Sequence, residues 1–184
     1  LIGSLNLTAI AVRLLRIEGL RETGSKNPGV ANLFRVAGAK VAALVLILEV
    51  AKAFPGLLAP RFLAMDRLLP YFALPFVIGD LFPIFHRFRG GKGVAATMGA
   101  LLVLDYRVML MGGVVFILMF FLFRRVSVSS LSMAASYPLL TYLICGKGYL
   151  LLVTICLCVI LFITHRSNIK RIVEGNEPKL LCNR

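Results

Sequence analysis

Charge is scarce in this sequence. Asp, Glu, Lys and Arg make up 16% of the 184 residues against 59% hydrophobic residues, and the mean hydropathy is +0.90. Ordinary globular domains carry about a quarter charged residues, so the composition reads as an integral membrane protein. Acidic residues are scarcer still, eight against 21 lysines and arginines, for a net charge of +13. The basic residues cluster between apolar runs, which suits anionic lipid headgroups and anionic substrates and gives no nucleic-acid signal. No signal-peptide pattern is present, and beside one helical bundle the chain has no room for a soluble domain. The four cysteines offer no metal site or disulfide. Cys145, Cys156 and Cys158 lie in apolar runs and Cys182 in a polar tail. Cys156 and Cys158 would point to different sides of a helix, so buried free thiols are expected.

What the chain does have is a succession of apolar runs: 1–17, 41–59, 69–85, 94–104, 108–123, 131–145 and 149–164. The expectation is an all-α polytopic membrane bundle of about seven helices forming a single domain over 1–184. The chain opens on Leu1 inside an apolar run, so the first helix is expected to be truncated. The run 94–104 is too short to span a bilayer at 1.5 Å per residue; two tilted helices are expected there, or one bent one. Residues 18–40 read as a loop passing into a helix, with Pro28 in its first turn. Glu49 and Lys52 are three apart on a helix face and are expected to pair, which lowers the cost of burying both. Placing 16–40, 86–93, 124–130 and 165–184 on one membrane face collects 15 lysines and arginines, against 4 on the other. The positive-inside rule then makes the first face, and the C-terminus, cytoplasmic.

The candidate chemistry lies in those basic segments. Arg89-Gly90-Gly91-Lys92-Gly93 sets a cation among glycines that let a ligand approach the backbone amides, an arrangement suited to phosphate. It is not a Walker A loop, since His86 stands where the first glycine belongs and Gly93 where Ser or Thr should follow the lysine. Ser25, Asn27 and the backbone at Gly29 can bind phosphate where a loop enters a helix N-terminus. Arg35 offers a planar fork and Lys92 a point charge. His165 and Asn168 are three apart, hence on one helix face. Taken alone, Ser25, Asn27 and Ser130 also read as helix caps, Arg35 as a snorkelling cation and His165 as a solvated interfacial residue.

Four segments in order resemble one family. Gly24-Ser25-Lys26-Asn27-Pro28-Gly29, continuing through Ala31, Asn32 and Arg35 to Gly38 and Lys40, is similar to GSGNxGATNxxRxxGxK. Phe88-Arg89-Gly90-Gly91-Lys92-Gly93-Val94-Ala95 is similar to FKGGKGVA, Val126 to Ser130 to VSLAS, and His165 to Arg171 to HRxNIxR. The family is the bacterial acyl-phosphate:glycerol-3-phosphate acyltransferases (PlsY), and the resemblance runs from Gly3-Ser4 to Pro178-Lys179. It implies a seven-helix inner-membrane enzyme, active toward the cytoplasm. Such an enzyme makes lysophosphatidic acid from a fatty acyl phosphate and glycerol 3-phosphate, with no cofactor or metal and without coenzyme A or acyl carrier protein as direct donor. The HxxxxD motif of other acyltransferases is missing here: Gly91 follows His86 at that spacing, and Lys170 follows His165.

By this resemblance Ser25, Arg35, Lys92, His165 and Asn168 are the catalytic candidates. Asn27, Gly29, Asn32, Gly90, Gly91, Gly93 and Ser130 are the substrate- and phosphate-binding candidates. The sequence departs from the family pattern at Ala31 (Thr), Asp80 (His), Lys26 (Gly), Glu49 (Asp), Ala53 (Gly) and Asn6 (Pro). These departures keep three alternatives in view: another phosphorylated acceptor, a non-catalytic lipid-binding subunit, and an ion path through Glu49, Lys52 and Asp80. The expected partners are the two substrates and membrane lipids. The oligomeric state is left open, with a monomer sufficient.

Overall fold

The computed structural model describes residues 1–20, 22, 27–62 and 68–180. All regular elements among them are helical: nine α-helices and two short 3₁₀ turns, Ile2–Ser4 and Ile84–His86. The α-helices are α1 (Leu7–Leu14), α2 (Val30–Ala51), α3 (Ala53–Phe62), α4 (Leu69–Leu81), α5 (Val94–Leu104), α6 (Tyr106–Phe123), α7 (Val126–Cys145), α8 (Tyr149–Thr164) and α9 (Arg166–Val173). Four stretches among the described residues are long and apolar enough to cross a membrane: Val30–Leu58, Leu69–His86, Tyr106–Phe123 and Val126–Cys145. A fifth is α8 with α9, bent by 61° at His165. The protein is an all-helical integral membrane protein. Each of the seven expected apolar runs carries a helix.

Local chemistry explains the boundaries. The first run breaks at Leu5 and Asn6, because Asn6 caps α1 by accepting a hydrogen bond from the Ala9 amide at 2.8 Å. The helix expected to emerge from 18–40 starts at Val30 and continues through the 41–51 part of the apolar run as one element, α2. Pro28 precedes it and does not lie in its first turn, and Gly29 is the N-cap, without a side-chain cap bond. Gly38 interrupts α2 at φ 82° and ψ 174°, a conformation that favours glycine, so the helix kinks there. α4 tolerates Pro70 at its start and Pro75 inside. Asp105, extended at φ −156°, separates α5 from α6 and caps α6 through the Arg107 amide at 2.9 Å. This settles the 94–123 stretch as two helices. Ser127 to Ser130 belong to the first turn and a half of α7.

The core forms where small residues let helices meet. Ala53, Leu57, Ala73, Phe76, Val77, Ala96, Ala100 and Leu157 join α3, α4, α5 and α8, while Leu101, Val108, Met133 and Tyr137 join α5, α6 and α7. Gly112 lies under the Tyr137 ring and Gly99 against the Val50 carbonyl, close approaches that a Cβ would block. Large apolar side chains such as Ile47, Leu118, Phe121 and Leu143 face outward, as a lipid environment requires. Cys145 and Cys156 are free but exposed on this outer surface rather than buried, and Cys158 is intermediate. Cys182 lies outside the described residues.

One consequence positions the site. α5 and α6 meet at Asp105, with 11 and 18 residues. The Gly90–Gly93 loop that precedes α5 rests on the end of α4, where the Gly90 amide donates to the Leu81 carbonyl.

Candidate functional site

That loop borders a cavity of about 440 Å³. Its walls come from the segment before α2, the inner face of α2, the Gly91–Val94 turn, the start of α7, the α8–α9 junction and the segment after α9. Asn27, Gly29, Arg35, Gly91, Lys92, Gly93, Ser130, His165 and Asn168 all line it. Residues up to 141 positions apart in sequence thus meet in one chamber. Ser25 lies outside the described residues.

Two candidates stand behind the wall. Asn32 is 1% exposed, and its side-chain amide donates to the Leu20 carbonyl at 2.6 Å, so it ties α2 to the preceding segment. Gly90 is a seat rather than a lining residue. Its amide donates to the Leu81 carbonyl at 3.2 Å, and a Cβ there would collide with the Asp80 and Leu81 carbonyl oxygens. Gly93 caps α5 at φ 81°, where an L side chain is strained. Gly91 has open space around it.

The Lys92 ammonium donates to Asn168 Oδ1, and Thr164 Oγ1 donates to the Lys92 carbonyl at 3.1 Å. Burial lowers the Lys92 pKa to about 8, with Glu177 pulling it up and Arg171 and Arg35 pushing it further down. His165 is 3% exposed, which rules out a solvated interfacial role. Its Nδ1 lies 2.8 Å from the Leu161 carbonyl. A carbonyl only accepts, so Nδ1 carries the proton and Nε2 is left as an acceptor. Ser130 is buried within α7 and caps no helix.

Sequence reasoning missed Glu177. Its carboxylate accepts from Asn168 Nδ2 at 2.6 Å and from Arg171 Nε at 2.7 Å. Burial alone would raise this carboxyl, but contacts from Ser127, Asn168 and Arg171 outweigh it and hold the pKa below its ordinary value. Ser127 Oγ itself is buried without a hydrogen bond of normal geometry. The backbone around Glu177 is strapped across the chamber. Arg125 Nε donates to the Glu177 carbonyl at 3.1 Å, Arg35 Nη2 to the Pro178 carbonyl at 3.5 Å, and the Leu180 amide to the Arg124 carbonyl at 3.0 Å. The available signal was one of two acids in a basic tail, the one beside Pro178, which is not periodic and belongs to none of the quoted motifs.

Asn6, Thr8, Glu49 and Asp80 form another polar stretch of wall. The expected Glu49–Lys52 pair is present at 2.6 Å, and Asp80 joins it at 2.5 Å from the same ammonium. These three charges are paired with one another, the structural alternative to an ion path. Among the described residues no group of three His, Cys, Asp or Glu side chains is placed to hold a metal.

The fold and the chamber together define an integral membrane protein with a cation-lined pocket that can take phosphorylated ligands. Residues 1–175 match the family described as glycerol-3-phosphate acyltransferase. The chain belongs to that family. Glycerol-3-phosphate acyltransferases of Coxiella burnetii and Methylococcus capsulatus are each 35% identical to it, over 98% and 100% of this chain and 93% of each relative. Among solved structures, the glycerol 3-phosphate form of PlsY, an integral membrane glycerol 3-phosphate acyltransferase, superposes with a TM-score of 0.90 at 31% identity. It covers 97% of this chain and 90% of that one. The lysophosphatidic acid form gives 0.88 at 30% identity with the same coverage.

Proposed function

We propose that this chain transfers a fatty acyl group from an acyl phosphate to the 1-hydroxyl of glycerol 3-phosphate, giving lysophosphatidic acid and inorganic phosphate. The observation that carries this reading is the make-up of one chamber. Arg35 and Lys92 line it beside Asn168 and Glu177, while Phe34, Leu46, Met98 and Phe116 give it an apolar side. Two phosphorylated substrates, one with a fatty tail, ask for that combination. The names of the relatives, and the two ligand forms of the PlsY structure, support the acceptor and the product.

In the proposed step the hydroxyl oxygen bonds to the acyl carbon and the bond from that carbon to the phosphate oxygen breaks. The electron pair and the hydroxyl proton leave with inorganic phosphate. Acyl phosphate supplies its own leaving group, so positioning and charge stabilisation can do most of the work. Lys92 and Arg35 hold phosphate charge. Asn27, Ser130 and the backbone at Gly29, Gly91 and Gly93 offer further donors, and Ser25 is assigned to the same set by its motif alone. Asn168 fixes the Lys92 ammonium, and His165 Nε2 offers an acceptor for a glycerol hydroxyl. Asn32 and Gly90 support the site from behind. The family resemblance implies the bacterial cytoplasmic membrane, and the charge bias of the loops argues for the chamber and C-terminus on its cytoplasmic side. A single membrane-embedded domain, acting as a monomer, suffices for the reaction.

The test is turnover by detergent-purified protein given palmitoyl phosphate and labelled glycerol 3-phosphate. Labelled lysophosphatidic acid is expected together with phosphate release, and palmitoyl-CoA is expected to be a poor donor. Absence of product defeats the reading, and equal rates from both donors defeat the acyl-phosphate assignment.

A further inference from the structure

Lys52 sits at the junction of α2 and α3, and its ammonium is buried among four oxygens. These are Asp80 Oδ1 at 2.5 Å, Glu49 Oε2 at 2.6 Å, the Leu5 carbonyl at 2.7 Å and the Gly3 carbonyl at 3.4 Å. Glu49 uses its other oxygen to accept from Thr8, at 3.0 Å from the amide and 3.2 Å from the hydroxyl. An ammonium has three donors; Asp80, Leu5 and Gly3 accept all three, and Glu49 Oε2 adds an ion pair, so none is left for a ligand. Glu49, Asp80, Asn6 and Thr8 line the chamber and Lys52 does not. The cation therefore acts on the wall and not on the substrate.

A short path leads from this wall to Lys92. Asp80 lies in the last turn of α4, whose end is held to α2 and to the N-terminal turn through Lys52. The Gly90 amide bonds to the Leu81 carbonyl, and Gly90 packs against the carbonyls of Asp80 and Leu81 too closely for a side chain. A Cβ at Gly93 would lie 3.2 Å from both Val77 and Leu81 of the same helix. Both ends of the loop that carries Lys92 thus rest on the end of α4.

We propose that Lys52 is a positioning residue for the phosphate loop: by clamping Asp80 to α2 and to the N-terminal turn, it fixes the seat on which Gly90–Gly93 holds Lys92 in the chamber. The inference rests on the acyl-transfer reading only for its activity readout. It differs from a plain stabilising ion cluster, which would change melting temperature without touching substrate kinetics.

The experiment compares Lys52→Met, Asp80→Leu, Asp80→Asn and Gly90→Ala, with the Lys52→Met/Gly90→Ala double variant, by kinetics, gel filtration and thermal melting. Small displacements of a positioned group cost about ten- to hundredfold, and losses of that size in kcat/KM for glycerol 3-phosphate are expected for Lys52→Met, Asp80→Leu and Gly90→Ala. Asp80→Asn keeps the acceptor oxygen and should recover most of the loss seen with Asp80→Leu. The double variant should lose less than the product of its two parents, because both act on one seat. Folded Lys52→Met with unaltered kcat/KM, equal losses for Asp80→Leu and Asp80→Asn, or strictly multiplicative effects would each overturn the proposal. If Lys52→Met does not fold, the Asp80 pair decides. If the wild-type protein shows no turnover, the proposed reaction fails. The same comparison is then read on affinity for inorganic phosphate, where indistinguishable affinities across the variants sink the inference by itself.

Discussion

Two buried charge clusters line the same chamber and are built to opposite rules. Around Lys52, one cation meets two carboxylates and two backbone carbonyls, and the ammonium is fully enclosed. Around Glu177, the balance is reversed: Arg35, Lys92 and Arg171 surround one carboxylate. The first cluster has its counter-charges built in and works as a clamp. The second keeps cations in surplus in a partly dehydrated space, where a lysine already gives up its proton near pH 8. Surplus buried cations raise the energy of the empty site, and an arriving phosphate relieves it. Paired charge makes structure, and unpaired charge waits for a ligand.

The most severe way to break this contrast is to delete the surplus. Lys92→Ala is expected to lose about 10²–10³-fold in kcat, the scale of removing one charge-stabilising donor. Folded Lys92→Ala protein turning over at the wild-type rate would show that the second cluster is also only structural. Glu177→Gln comes next. It keeps the shape but removes the anion that Asn168 and Arg171 contact, and hydrogen bonds to charged groups contribute about 1.5–3 kcal/mol. A loss of about ten- to hundredfold in kcat/KM follows at that size. Retention of full activity would mean that Glu177 does not hold the site's donors in place.

The pH profile sharpens the comparison without any mutation. Lys92 is cationic below its pKa and neutral above it, so kcat/KM should fall as pH rises through about 8. Because Glu177 pulls that pKa up, the midpoint should move to lower pH in Glu177→Gln. A profile flat to pH 10 would contradict the account of Lys92 as a surplus buried cation. The mildest effect concerns Ala31, which lines the chamber and lacks the hydroxyl of the family pattern. Ala31→Thr should raise kcat/KM by about tenfold at most, the worth of one modest hydrogen bond. A fall instead would show a chamber already shaped around the smaller side chain.

Much of this was legible in the chain itself. Low charge and repeated apolar runs determined an all-helical membrane protein, because a bilayer leaves a backbone few other ways to satisfy its polar groups. The motif segments named Arg35, Lys92, His165 and Asn168, and spacing alone paired Glu49 with Lys52, since both sit one turn apart on one helix. Those are local properties, written in consecutive residues. The tertiary structure decided the rest. It set Asn32 and Gly90 outside the chamber lining, with the Asn32 amide donating to Leu20 and the Gly90 amide to Leu81. It turned Asp80, which stands where the family pattern has His, into a partner of Lys52 lying 28 residues away. It brought Glu177 out of a basic tail into the centre of the site. Pairings of this kind depend on how helices cross and where they stop, such as a short α5 beside a long α6. No single stretch of sequence encodes the distance between two side chains that only packing brings together.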